Sequence, residues 1–187
     1  PYEQYGETPG EYGNHDLADR PEDLDLDYLV IHDTEATWDT TLDLVTDPTY
    51  VSWHYSLRSA DGHIAQHVPV DDDAWHAGNW SYNERSIGIE HEGFVADANN
   101  YTPAMLQASA RLTRWLCDNL GIPRDRSHIV GHVEVPGATH TDPGVHFPWQ
   151  TYMDLVNNGG TAMPPPANGT GILQGVVFIG TDSAQRI

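Results

Sequence analysis

The chain has 187 residues and a formal net charge of −20; all eight of its basic residues are arginine, and it has no lysine. That length suits one domain with tails, and that charge excludes nucleic acid or an anionic membrane as partners held by general electrostatics. One cysteine, Cys117, excludes an intrachain disulfide framework, and no apolar run reaches the length of a membrane span.

In chain order, residues 1–25 are acidic, rich in Gly and Tyr and poor in aliphatics, and read as an extended arm. The chain starts at Pro1 without Met and shows no signal peptide, as expected of a processed exported protein, secreted or held at the cell envelope. "LDYLVIH" (26–32) is a short apolar run with His32 at its end, the pattern of a buried strand. "TWDTTLDLVTDP" (37–48) predicts a short helix stopped by Pro48. "VSWHYSLRSADGHIAQHVPV" (51–70) predicts a hairpin, with Asp61-Gly62 as the turn pair. "RSIGIEHEG" (85–93) predicts a strand with Ile87 and Ile89 on one face and Glu90 and Glu92 on the other.

The helix over 103–120 is the best signalled element. Thr102 is the candidate N-cap, Pro103 fits the first turn, and Gly121 with Pro123 supplies the stop. Met105, Ala108, Leu112, Leu116 and Leu120 form its apolar stripe. "SHIVGH" (127–132) reads as a strand entering the loop "GHVEVPGATHTDPG" (131–144), and residues 148–156 as a last helix. Residues 158–171 are a Gly/Pro-rich linker by composition. Residues 172–187 read as an edge strand or the start of a further unit. Strands and helices alternate without regular βαβ spacing, so the expected architecture is α/β, a mixed central sheet flanked by helices, with the domain proper at 26–157.

The chain carries eleven histidines. His32 ends one predicted strand and His132 follows another. A third ligand within reach is offered by Asp142, by His140 or by Glu134, and spacing alone leaves the three open. Two histidines and a carboxylate with one open position form a recurrent catalytic zinc set, whose use is to bring the pKa of water to about 7. Glu90 and Glu92 are both placed to serve as a proton-transferring carboxylate. Arg85 is one of few cations near these motifs and could pair bidentately with a carboxylate in a ligand.

Four motifs occur in a fixed order: "VIHDTE" (30–35), "AWHAGNW" (74–80), "SIGIEHEG" (86–93) and "GHVEVPGATHTDPG" (131–144). Together they resemble the type 2 N-acetylmuramoyl-L-alanine amidases, the zinc amidases that share a fold with peptidoglycan recognition proteins; the resemblance covers about residues 26–156. It implies a mixed sheet with helices on its faces, and Zn2+ on His32, His132 and Asp142. It also implies Glu90 rather than Glu92 as the catalytic acid/base. Its loop commonly reads Lys-Thr-Asp or Lys-Thr-Cys, the last residue being the ligand. Here it reads His140-Thr141-Asp142, so His140 takes the place of the lysine that supports the oxyanion. Trp75, His76 and Asn79 match a family loop beside the substrate groove. His54, near the position where some relatives carry a functional Tyr, is expected to be structural or to support the site from behind.

The implied activity is hydrolysis of the amide between the lactyl group of N-acetylmuramic acid and L-alanine, with peptidoglycan or muropeptides as partners. The protein is expected to act as a monomer, without nucleic acid or membrane insertion. The rival readings are a non-catalytic peptidoglycan-binding module of the same fold and a zinc hydrolase acting on another amide.

Overall fold

A computed structural model describes residues 15–16, 25–45, 47, 51–159 and 176–178, with backbone only for 15–16 and 176–178. Most of the acidic arm and of the Gly/Pro-rich linker, and Pro48, lie outside the described residues.

The strands are β1 (His15–Asp16), β2 (Tyr28–Asp33), β3 (Tyr55–Leu57), β4 (Ile64–Gln66), β5 (Asp73–Ala74), β6 (Ser86–His91), β7 (Ile129–Gly131) and β8 (Val176–Phe178). The helices are α1 (Trp38–Val45), α2 (Trp80–Asn83), α3 (Pro103–Leu120) and α4 (Trp149–Asn158). Among the described residues, one mixed sheet runs β7-β2-β6-β3-β4-β8. β7, β2, β6 and β3 are mutually parallel, β4 is antiparallel to β3, and β8 runs parallel to β4. Val176–Phe178 thus forms an edge strand of this sheet, and His15–Asp16 of the arm pairs with β5.

The two-residue period of the strands sorts the interior. Leu29 and Ile31 of β2, Ile87 and Ile89 of β6, Tyr55 and Leu57 of β3 and Ile129 of β7 join one buried cluster with α3 and α4. The alternate positions face the other way. There Val30 and Val130 pack in a much smaller cluster with Ala77 and Val135, and His32 and Glu90 share that face as register partners.

α3 forms over the range its sequence predicts. Thr102 accepts the N–H of Met105, Pro103 opens the first turn, and Gly121 closes the helix at φ 75°. The predicted hairpin forms, but with a wider turn than the Asp61-Gly62 pair suggests. The arms are closed by Arg58 N–H to the His63 carbonyl, and Gly62 N–H returns to the Arg58 carbonyl. Gly62 is needed twice over: its φ is +71°, and a Cβ there would lie 2.5 Å from the Ala104 carbonyl oxygen of α3.

Candidate metal and catalytic site

The site lies at the carboxyl ends of the parallel strands, where open α/β sheets commonly place ligands. His32 is the fifth residue of β2 and pairs in register with Glu90 of β6. Gly131 ends β7 opposite Ile31, so His132, the next residue, reaches the level of His32. It opens a single 3-10 turn, His132–Glu134. Glu134 braces that turn from below, accepting the Gly131 N–H at 2.7 Å and the Arg126 guanidinium at 2.6 Å. The loop then folds back. Val133 N–H donates to the Asp142 carbonyl, and Pro143 packs so close to Gly131 that a Cβ there would meet its Cδ at 2.8 Å. This return brings Asp142 under the two histidines.

Nδ1 of His32 lies 3.1 Å from Asp142 Oδ2, and Nδ1 of His132 lies 3.0 Å from Asp142 Oδ1. All three residues are buried, and their ligand atoms lie within 4.8 Å of one another. Two nitrogens and a carboxylate oxygen converging on one point fit a zinc ion with a position left open. The electrostatics agree with that use. Burial is the largest influence on His32 and lowers its pKa, which favours the neutral ring that a metal ligand needs. Burial alone would raise the Asp142 carboxyl, but the contacts with His132 and His32 outweigh it and hold it ionised, well below the usual range.

Glu90 stands beside this group, with Oε1 at 3.9 Å from His32 Nδ1. Its Oε2 is buried and has no hydrogen-bond partner among the described residues. Burial, followed by the charges of Asp142 and Asp33, pushes its pKa well above the ordinary value. Glu92, two residues on, is occupied differently. Its carboxylate accepts the backbone N–H groups of Trp38 at 3.0 Å and Ser59 at 2.7 Å, which ties three segments together and leaves it no free oxygen for chemistry. His140 is outside the convergent group: it is exposed and stacks on the His132 ring at 4.9 Å between centroids.

Residues 22–145 match the family described as N-acetylmuramoyl-L-alanine amidase (Amidase_2). The chain belongs to this family. N-acetylmuramoyl-L-alanine amidase A of Achromobacter lyticus is 37% identical over 150 residues, covering 71% of this chain and 84% of that protein. The 1,6-anhydro-N-acetylmuramyl-L-alanine amidase AmpD of Escherichia coli (strain K12) is 34% identical over 163 residues, covering 74% and 86%. Among solved structures, the E. coli amidase AmiD in complex with the substrate anhydro-N-acetylmuramic acid-L-Ala-D-gamma-Glu-L-Lys superposes with a TM-score of 0.61. That pair shares 30% identity over 74% of this chain and 59% of the AmiD chain.

The "AWHAGNW" loop of this amidase holds the site more than it lines a groove. His76 is buried behind His32, its Nδ1 3.0 Å from His32 Nε2. Asn79 caps α2 by accepting the Tyr82 N–H and donates to the Pro136 carbonyl, so it fastens this loop to the one carrying His132. Trp75 is half-buried, and its backbone exchanges hydrogen bonds with Ser52. Arg85 is not brought to the cluster. It precedes the first residue of β6, at the opposite end from Glu90, and pairs with Asp27. Sequence reading offered Arg85 because it is near Glu90 in number, but five strand residues carry the chain roughly 16 Å. His54 extends the sheet ladder: Gly88 N–H donates to its Nδ1 at 3.0 Å, and its Nε2–H donates to the Asp72 carbonyl at 3.2 Å.

One supporting residue went unnoticed in the sequence. His91 donates Nδ1–H to the His32 carbonyl at 3.0 Å and accepts at Nε2 from Ser109 Oγ at 2.7 Å. Strand parity could have found it, since His91 falls on the α3 side of β6 with Ile87 and Ile89.

Proposed function

We propose that this amidase hydrolyses the amide between the lactyl group of N-acetylmuramic acid and L-alanine with a zinc ion held by His32, His132 and Asp142. The observation that carries the reading is the buried His-His-Asp group with an unsatisfied carboxyl oxygen of Glu90 beside it. A zinc ion bound there would supply Lewis-acid polarisation and bring water to ionise near neutral pH.

The protein's own groups account for the proton movements. Glu90, whose raised pKa suits it to bind a proton, takes one from the attacking water as the oxygen adds to the carbonyl carbon. The same carboxyl then gives that proton to the amine of L-alanine as the C–N bond breaks, which regenerates the starting carboxylate. His140, at the rim of the cluster, donates N–H to the developing oxyanion in place of a lysine. Asp142, kept ionised by its contacts with both histidines, retains the negative charge needed in the ligand set.

Peptidoglycan fragments are then the partners, and the protein works as a secreted or envelope-associated monomer. The catalytic unit spans 26–157, with the arm before it and the linker and terminal segment after it. A complete ligand set and an available carboxyl favour hydrolysis over binding alone. Mass spectrometry of products from defined muropeptides tests this directly. Free stem peptide beginning with L-Ala should appear, vanish with a chelator and return with zinc. Full activity of His132→Ala with unchanged zinc content would refute it.

A further inference from the structure

A directed chain of hydrogen bonds runs from the backbone of α2 to the ring of His32. It begins at the Tyr82 carbonyl, which can only accept. Ser86 Oγ lies against that oxygen at 2.5 Å, so the serine hydroxyl donates its single proton there. Ser86 Oγ is then left as an acceptor toward His76 Nε2 at 3.2 Å, which must carry a proton. A neutral His76 protonated at Nε2 has a bare Nδ1. That Nδ1 faces His32 Nε2 at 3.0 Å, so His32 carries a proton on Nε2. The remaining nitrogen, His32 Nδ1, is the one directed at Asp142.

We infer that His76 is a positioning residue that fixes the tautomer and ring orientation of His32, leaving Nδ1 as the ligand atom. Ligating histidines generally donate their second N–H to an outer acceptor; here the acceptor is another histidine with its own proton position set from behind. The surroundings hold His76 for this task. Its ring packs on Gly88 so closely that a Cβ there would lie 2.6 Å from its Cγ. Its backbone N–H and that of Ala77 both donate to Asn83 Oδ1, at 3.3 and 2.8 Å. The His54 ring meets it edge-on at 5.7 Å.

The inference rests on His32 being a metal ligand, but its test separates the two. In metal-free protein with 15N-labelled histidine, long-range 1H–15N correlation spectra report each ring's tautomer; His32 is assigned with His32→Gln. The expected result is a proton held on His32 Nε2 in the wild type, whether or not Nδ1 also shares one with Asp142, and a loss of that preference in His76→Phe. Zinc affinity, measured by chelator competition, should fall about 10- to 100-fold in His76→Phe. It should stay within about threefold in His76→Asn, whose amide oxygen replaces Nδ1 as acceptor. Ser86→Ala, which removes the previous link, should loosen the same preference without touching His76, and keeps the test usable if His76→Phe does not fold. A wild-type His32 without a proton on Nε2, or a tautomer and zinc affinity unchanged in both His76→Phe and Ser86→Ala, overturns the inference. If wild-type protein binds no zinc while His32 still shows the His76-dependent Nε2–H form, the ligand reading fails and the positioning role stands.

Discussion

The two faces of β6 carry similar residues to different ends. On the α3 side, Ile87, Ile89 and His91 lie in the apolar interior, and His91 spends its hydrogen bonds on the His32 main chain and on Ser109. On the other side, Ser86, Gly88 and Glu90 meet His76 and the group of His32, His132 and Asp142. One histidine holds the backbone of His32 and another holds its ring. Burial by itself therefore does not mark a functional histidine; the atom it touches does.

The sharpest way to break this comparison is at Glu90 and Glu92. Glu90→Gln keeps shape and removes the proton acceptor. Amidase turnover should fall by about 10²- to 10⁴-fold, the usual worth of general acid–base catalysis, with zinc content unchanged. Glu92→Gln should leave turnover within about threefold and lower stability instead, since its carboxylate serves two backbone N–H groups. Alternation puts both glutamates on one face, so comparable turnover losses in the two variants would show that what each carboxylate touches does not separate them.

A second pair sets His91 against His76. His91→Leu leaves the His32 carbonyl and the Ser109 hydroxyl without their partner in a buried site. Chemical denaturation should show a loss of about 1–3 kcal/mol for an unsatisfied buried polar group. Zinc affinity should change little, whereas His76→Phe should show the opposite pattern. If His91→Leu lowers zinc affinity as strongly as His76→Phe, the backbone of His32 matters as much as its ring and the distinction collapses.

Much of this was legible in the sequence, for physical reasons. α3 announces itself through Thr102, Pro103 and Gly121, because capping chemistry is local. The strand positions of His32 and Glu90 follow from alternation, which is also local. The link from His32 to Asp142 spans 110 residues, and no pattern in the sequence marks such a separation; family resemblance supplied the pairing. Resemblance also placed His76 on the groove loop, but not behind His32, because the direction of a hydrogen bond depends on which neighbours can only accept. The hairpin turn was read too tight for a related reason: the conformation of Gly62 answers to a contact with α3, a tertiary demand.

Gly88→Ala tests the site face with a smaller perturbation. The glycine is extended, so alanine brings no backbone strain, and its Cβ would press first on the ring of His76, at 2.6 Å from Cγ. Zinc affinity should fall, by less than in His76→Phe, with the fold retained. An unchanged affinity would mean the ring of His76 can move without loosening His32.

The smallest effect sorts histidines within the site face itself. His67 is buried on that side beyond the site, its Nε2 2.9 Å from Ser56 Oγ, which also accepts from Trp53 Nε1. The serine proton is thus available to His67 Nε2, and the ring must be neutral to accept it. Burial pushes its pKa down to about 3, against about 6.5 for an unfolded histidine. Between those values the unfolded chain binds more protons than the folded one, so the contribution of a neutral His67 is complete above pH 6.5 and is lost as pH falls toward 3. The slope amounts to at most about 1.4 kcal/mol per pH unit. His67→Gln, whose amide oxygen can still accept from Ser56, should flatten the stability profile across that window. Because His67 touches neither His32 nor Glu90 among its described contacts, turnover at neutral pH should be unchanged. Identical stability slopes in variant and wild type would show that His67 takes up its proton in the folded protein. A buried neutral histidine on this face would then need more than desolvation to stay neutral, and the contrast with His76, held by directed bonds, would be stronger.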